Sequence, residues 1–256
     1  MNTRLSKVLL ALFMPAILLI SSCRDKDDDP IPVAQYGYLK MQFDYVFGAN
    51  QLPWEIGKTM VHSKTGDTLT FTTFKYYVSN IKLKKADGTW WSQPESYHLL
   101  DAAVKDGSMI TINDIPAGDY TAMEYTMGVD SARNVSGAQT GALSLTNAMF
   151  WDWNTGYIML KAEGYSPNAA NNGFAFHLGG FSGADNIVTV KSTDFGGTTL
   201  KIAKDKDSKI KFVANPARLW HTSPSVSTRA TIHMPGAEAK VMANDFYSNI
   251  SFVGLE

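Results

Sequence analysis

The stretch Tyr36–Phe47 reads YGYLKMQFDYVF and has the clearest structural pattern in the chain. Apolar or aromatic side chains recur at every second position from Leu39 onward, while Lys40 and Asp44 lie between them. In a β-strand successive side chains point to opposite faces. The two-residue period therefore predicts a long strand with one buried face and one solvated face.

The segment Thr68–Lys84 is rich in β-branched and aromatic residues and is followed by an Asp87-Gly88 turn signal, which predicts a second long strand. Shorter segments of the same character are Ser96–Leu100, Met109–Asn113, Asp119–Met127, Gly156–Ala162, Phe174–Leu178, Ile187–Lys191, Thr199–Ile202 and Lys209–Val213. Many short strands separated by Gly, Pro and Asn predict an all-β fold, an antiparallel β-sandwich with Greek-key-like connections. We expect one or two short helices, at Leu143–Phe150 and Ala237–Ile250.

The composition excludes several classes of protein. Charged residues make up 18% and hydrophobic residues 45% of the 256 residues, which is the composition of neither a disordered chain nor a coiled coil. The formal net charge is −1, and a chain without excess positive charge is not expected to bind nucleic acid. We expect a single domain over residues 36–256.

The N-terminus has the pattern of a secretion signal. Arg4 and Lys7 precede an apolar run from Val8 to Ile20, and the only cysteine of the chain, Cys23, follows closely. A transmembrane anchor is the alternative interpretation, but this run is shorter than the ~20 residues that span a bilayer. The segment Ile20-Ser21-Ser22-Cys23 resembles the lipobox of bacterial lipoproteins. It predicts a signal peptide over residues 1–22, with Cys23 acylated as the membrane anchor.

Residues 23–35 are acidic and then Pro-rich, which is typical of a solvated tether. The run Lys26–Asp29 also resembles the surface-export signal of Bacteroidetes lipoproteins. It predicts a lipid-anchored protein of the outer membrane that faces the cell exterior.

The histidines are the main candidates for chemistry, and the chain has five of them: His62, His98, His177, His221 and His233. No HExxH, Cys-x-x-Cys, Walker or Gly-x-Ser-x-Gly motif accompanies them. Local motifs therefore give no support for an enzyme.

Four motifs occur in a fixed order: YYVSNIKL at 76–83, GV at 128–129, MFWDW at 149–153 and FHLG at 176–179. As a set they resemble the MbnP family, in a branch of Bacteroidetes lipoproteins. The resemblance implies a non-catalytic copper-binding protein with a di-haem peroxidase-like partner. It also implies copper ligands from histidine and from a tryptophan oxidised to kynurenine.

Residue by residue, the resemblance makes His177 the best ligand candidate and brings in Trp151 and Trp153. A histidine that the family often places after the GV motif is missing here, where Asn134-Val135 stands. We expect His98 as a second ligand. The alternatives are a structural histidine at position 177 and tryptophans that serve as core or as a stacking platform.

Two functions of different class follow from these observations. The first is a surface lipoprotein that binds copper, since imidazole nitrogen suits this metal. The second is an adhesion module without metal, in which exposed aromatic side chains contact a glycan or a protein.

Overall fold

In a computed structural model of the protein, residues 34–137, 139–151 and 156–256 are described. Residues 34–256 form one compact unit. The predictions for the signal peptide, for Cys23 and for Trp153 lie outside the described residues. No helix among the described residues is long and apolar enough to cross a membrane.

Strands account for 47% of the described residues. In chain order they are β1 (Tyr36–Phe47), β2 (Leu52–Pro53), β3 (Thr59–Val61), β4 (Thr68–Lys85), β5 (Trp90–Ser92), β6 (Tyr97–Asp101), β7 (Met109–Pro116), β8 (Gly118–Met127), β9 (Ile158–Tyr165), β10 (Gly173–Gly179), β11 (Thr189–Asp194), β12 (Leu200–Ile202), β13 (Asp207–Ala214), β14 (Thr231–Ile232) and β15 (Ser251–Leu255). The predicted all-β, sandwich-like fold is confirmed.

The strands form two sheets. The small sheet has the order β15-β13-β1-β2, and β7 also pairs with β1, on the edge opposite β13. The large sheet is built around β4, the longest strand, with β3, β5, β6, β8 and β9 paired directly to it. It continues from β9 to β10 and β14, and from β8 to β11 and β12.

The prediction of purely antiparallel sheets was wrong in two places. β1 and β13 run parallel over eight paired positions, from Tyr38–Asp207 to Tyr45–Ala214. β10 and β14 also run parallel, with Phe176 opposite Ile232. Parallel neighbours need long crossover connections, and both pairs join strands that are far apart in sequence, which a local pattern cannot show.

Aromatic side chains fill the space between the two sheets. Phe43 of β1 stacks on Phe212 of β13 at a centroid distance of 5.0 Å and meets Tyr76 of β4 edge-on at 6.2 Å. Phe246 packs against Tyr76 from the side, at 5.3 Å. Burial of each such ring is worth about 1.5–3 kcal/mol. This core fixes which face of the large sheet turns inward, and we call the opposite face the outer face.

The two α-helices differ in their agreement with the sequence. α2 (Ala237–Ser248) forms within the predicted range 237–250 and carries Phe246 into the core. α1 (Ser131–Asn134) is a single turn capped by Asp130, and no periodic pattern predicts so short an element. In the predicted range 143–150 the structure has short 3₁₀ turns, Gly141–Leu143 and Leu145–Asn147.

Candidate functional site

A long connection lies across the outer face of the large sheet. Lys75 of β4 pairs with both β6 and β9, and Val78 pairs with both β6 and β8. Since a strand has two edges, β8 and β9 must share one edge of β4, end to end. The segment that joins them, residues 128–157, begins where the Gly128 amide donates to the Tyr77 carbonyl at 3.0 Å.

This segment builds a second, smaller apolar cluster on the outer face. Its buried members are Tyr77, Val129, Leu143, Met149, Trp151, Tyr157 and Ile158. The hydroxyl of Tyr157 donates to the Leu143 carbonyl at 2.8 Å, and the hydroxyl of Tyr77 donates to the Ala142 carbonyl at 3.0 Å. The described part of the segment is therefore fastened to the sheet by both packing and hydrogen bonds.

His177 lies in the middle of β10 and points away from the core. Its neighbours Phe176 and Leu178 are fully buried in the main core, so strand alternation directs His177 to the outer face. This orientation agrees with the sequence pattern. Lys161 of β9 pairs directly with His177 and shares its face.

A carboxylate fixes the orientation of the His177 ring. Nε2 of His177 lies 2.6 Å from Oε1 of Glu163, and Nζ of Lys161 lies 3.5 Å from the same oxygen. A carboxylate accepts hydrogen bonds, so Nε2 carries the proton and donates it. The available lone pair of His177 is then on Nδ1. Metal-binding histidines commonly have this arrangement, in which one ring nitrogen donates to a carboxylate and the other binds the metal.

His233 meets the free side of this ring. The Nδ1 atoms of His177 and His233 are 3.2 Å apart, and the two rings stand at 89° with centroids separated by 4.6 Å. His233 follows β14, whose parallel pairing with β10 sets Ile232 opposite Phe176 and so carries the next residue alongside His177. No local pattern in the sequence points to His233 as a ligand, because its partner His177 is 56 positions away.

The separation of the two Nδ1 atoms fits a shared metal ion. Imidazole nitrogens bind copper or zinc at about 2.0 Å, and two such bonds at an angle near that of a tetrahedron put their nitrogens about 3.3 Å apart. Burial lowers the pKa of His177, the hydrogen bond that Nε2 donates to Glu163 raises it in part, and the net pKa is below the usual range. His177 is therefore neutral at pH 7, as a metal ligand must be.

The protein side chains supply an incomplete set of ligands. Among the described residues, no group of three or more His, Cys, Asp or Glu side chains is arranged to hold a metal ion. Glu163 is engaged with His177 and Lys161. The site is thus a two-nitrogen site supported by one carboxylate.

His98 does not lie with His177. His98 pairs with the buried Val78 of β4, and directly paired residues lie on the same face of a sheet, so His98 is on the inward face. Lys75 and His177 lie on the outer face. β4 and β9 also separate β6 from β10, a distance of about 14 Å at the usual strand spacing. Nε2 of His98 is hydrogen bonded to Oε1 of Gln93 at 2.9 Å. His98 and His177 therefore cannot bind one ion together.

Trp151 lies in the same region of the outer face as His177. The edge of its indole fills the space that a side chain at position 179 would need. A β-carbon added to Gly179 would lie 2.5 Å from the indole. Gly179 is two residues from His177 along β10. Trp151 is also buried in the small apolar cluster, so packing is at least one of its roles.

The remaining two histidines have other surroundings. His62 is buried, with Nε2 at 3.0 Å from the Ala217 carbonyl and Nδ1 accepting from the Thr65 amide at 3.1 Å. His221 is exposed, and its Nδ1 lies 3.3 Å from the guanidinium of Arg218. Of the five histidines, His177 and His233 alone have their ring nitrogens in contact with each other.

Comparison with known proteins adds two findings. The family model described as MbnP matches residues 36–236. The solved structure of MbnP from Methylosinus trichosporium is similar with a TM-score of 0.50 and 14% identity, over 80% of this chain and 83% of that chain. At this identity the likeness shows a shared fold. No curated protein sequence matches the chain.

Proposed function

The chain belongs to the MbnP family, and from this premise we propose that it binds a copper ion between Nδ1 of His177 and Nδ1 of His233. The family is associated with copper-related function and is not a known class of enzyme. The observation that carries the proposal is the 3.2 Å separation of the two Nδ1 atoms. Imidazole nitrogen is a ligand that suits copper.

The surroundings of the pair support a binding role. Glu163 holds the ring of His177 through Nε2, so Nδ1 does not have to reorient before it binds. The ammonium group of Lys161 lies beside the Glu163 carboxylate and partly offsets its negative charge. Two protein ligands leave further positions to water, to an added ligand or to another protein, which suits a protein that receives or passes on its metal.

Trp151 is the tryptophan that we propose as the oxidised residue implied by the family. Its indole contacts β10 at Gly179, two residues from His177. An oxidised indole ring would place a new polar group on the outer face beside β10. Mass spectrometry of tryptic peptides from the protein isolated from its host would detect the change, and an unmodified Trp151 peptide would contradict it.

We further propose that the protein is a lipoprotein of the outer membrane, anchored through Cys23 and displayed outward by Lys26–Asp29, with a di-haem peroxidase-like partner. Replacement of Cys23 by Ala should release the protein from membranes. Replacement of Lys26–Asp29 by Ala should leave the anchor in place and remove access of external protease. An unchanged membrane fraction or unchanged protease access would contradict the respective claim.

The copper proposal is tested by titration of the purified protein with copper, read by a chelator competition assay. We expect one stoichiometric site in the wild type and its loss in both His177→Ala and His233→Ala. His221→Ala is the matched control, because it removes an exposed histidine outside the pair, and it should bind as the wild type does. Stoichiometric binding that survives both substitutions in the pair would refute the site.

A further inference from the structure

A groove opens on the outer face of the large sheet, separate from the histidine pair. Its volume is about 460 Å³, within the range of about 300–1,000 Å³ that is usual for small-molecule sites. The polar side chains of the groove come from β4, β8 and the segments next to them: Asn80, Lys82, Gln93, Glu124, Thr126 and Asp130. The proposed copper site uses none of them.

Neighbouring residues hold the polar groups of the groove in place. Oε1 of Gln93 accepts from Ser96 Oγ at 2.7 Å and from His98 Nε2 at 2.9 Å, which leaves the amide nitrogen of Gln93 as a donor for a ligand. Nδ2 of Asn80 donates to Asp130 at 3.1 Å, which leaves the amide oxygen of Asn80 as an acceptor. The groove therefore offers both donors and acceptors from positions that are already fixed.

The charges of the groove balance only when its rim is included. Lys82 is opposed by Glu124 in the pairing of β4 with β8, and Asp130 lies nearby. Lys84 adds a second positive charge on the outer face, two residues from Lys82 along the same strand. Lys82 and Lys84 together offset Glu124 and Asp130, so the groove and its rim carry no net charge and favour a neutral ligand over an anion or a cation.

An exposed tryptophan lies at the rim. Trp90 of β5 has 42% of its surface exposed, and it pairs with Lys84, whose Nζ lies 6.0 Å from the indole centroid. Ser92 lines the groove and is two residues after Trp90 on the same strand. Side chains two apart share a face at a spacing of about 7 Å, so the indole is next to the groove.

We propose that this groove binds a neutral oligosaccharide, with one sugar ring stacked on Trp90 and the hydroxyl groups of the next hydrogen bonded to Gln93 and Glu124. A sugar ring has a face of C–H groups and a rim of hydroxyl groups. The C–H face matches an exposed indole. The hydroxyls, each a donor and an acceptor, match the mixed amide, carboxylate and ammonium groups that the groove presents.

The test is titration calorimetry of the purified full-length protein with a panel of neutral tetrasaccharides: cellotetraose, laminaritetraose, maltotetraose, xylotetraose and mannotetraose. We expect at least one to bind. Trp90→Ala should weaken that binding at least about tenfold, because a stacked tryptophan is a usual centre of binding energy. Glu124→Gln should weaken it as well, by a smaller factor.

Tyr165→Ala is the matched control, since Tyr165 is an exposed aromatic residue, 65% accessible, at the far end of β9. It should bind as the wild type does, and thermal melting should show that all variants are folded. Failure of the whole panel to bind, or binding that Trp90→Ala leaves unchanged, would overturn the proposal. The proposal would also be overturned if no saccharide binds and the protein instead binds another protein in a way that Trp90→Ala abolishes.

Discussion

His62 directly follows β3 and His177 lies on β10, two strands of the same large sheet. Both rings are held by hydrogen bonds, yet they differ in which ring nitrogens remain available for another contact. Both ring nitrogens of His62 are used by backbone groups, the Ala217 carbonyl and the Thr65 amide. His177 uses Nε2 for Glu163 and directs Nδ1 at another imidazole. A histidine is a candidate ligand when one nitrogen is fixed and the other has a lone pair facing a second donor.

The surroundings of the two rings strengthen this contrast. His62 is 5% exposed as a residue, and its ring packs against Phe47 and Trp220 at centroid distances of 6.3 and 5.9 Å. The side chain of His177 is 18% exposed, and charged groups of Glu163 and Lys161 lie beside it. We therefore assign His62 to stability and His177 to binding, and substitutions can separate the two roles.

The largest expected effect is on stability, at His62. His62→Ala leaves the Ala217 carbonyl and the Thr65 amide without partners and opens a cavity beside Trp220, so it should lower the free energy of unfolding by about 3 kcal/mol. His177→Ala should lower it by about 1 kcal/mol or less. Urea unfolding of both variants measures the difference. Equal losses in the two variants would remove the distinction between the rings.

The next effect is on copper affinity, at Glu163. Glu163→Gln keeps the shape of the side chain but removes the charge that orients His177, and loss of such a partner typically costs about 10- to 100-fold in metal affinity. A chelator competition assay measures it. His62→Gln, which acts only on the other region, is the control and should leave copper affinity unchanged. A Glu163→Gln variant that binds as tightly as the wild type would show that this carboxylate does not position the ring.

The third effect is the dependence of stability on pH in the absence of metal. Burial lowers the pKa of His62 below its usual range and that of His98 to about 4. The unfolded chain therefore takes up protons that the folded protein does not, and stability is lost as pH falls below about 6.5. Each histidine contributes at most about 1.4 kcal/mol per pH unit to this loss.

The variant His62→Gln isolates one of these contributions. It cannot take up the proton at position 62, so its free energy of unfolding should decline less steeply between pH 6.5 and 4 than that of the wild type. Urea unfolding at several pH values gives the two slopes. Parallel slopes would mean that His62 titrates alike in the folded and unfolded states.

The sequence predicted those parts of the fold whose pattern is local. β1 has the predicted bounds, Tyr36–Phe47, because the two-residue period runs without a break from Leu39 to Phe47. β14 contains two residues, Thr231–Ile232, and it exists because β10 is its neighbour. No periodicity within two residues can show this, so the strand that carries His233 to the site was not predictable from pattern alone.

The same limit applies to the site. His177 could be found because it lies between two core residues and within a family motif, FHLG. Its partners Glu163 and His233 are 14 and 56 positions away, and only the registers of β9 and β14 against β10 bring them together. His98 was selected on residue type, but its strand lies on the opposite side of β4 and its ring is bonded to Gln93.

The central claim is that His177 and His233 share one copper ion. A crystal of the copper-loaded protein, with diffraction data collected at the copper absorption edge, tests it most directly. We predict one anomalous peak about 2.0 Å from Nδ1 of His177 and from Nδ1 of His233, with Glu163 still bonded to Nε2 of His177. A peak elsewhere on the protein, or a copper-soaked crystal with no anomalous peak between the two Nδ1 atoms, would contradict the claim.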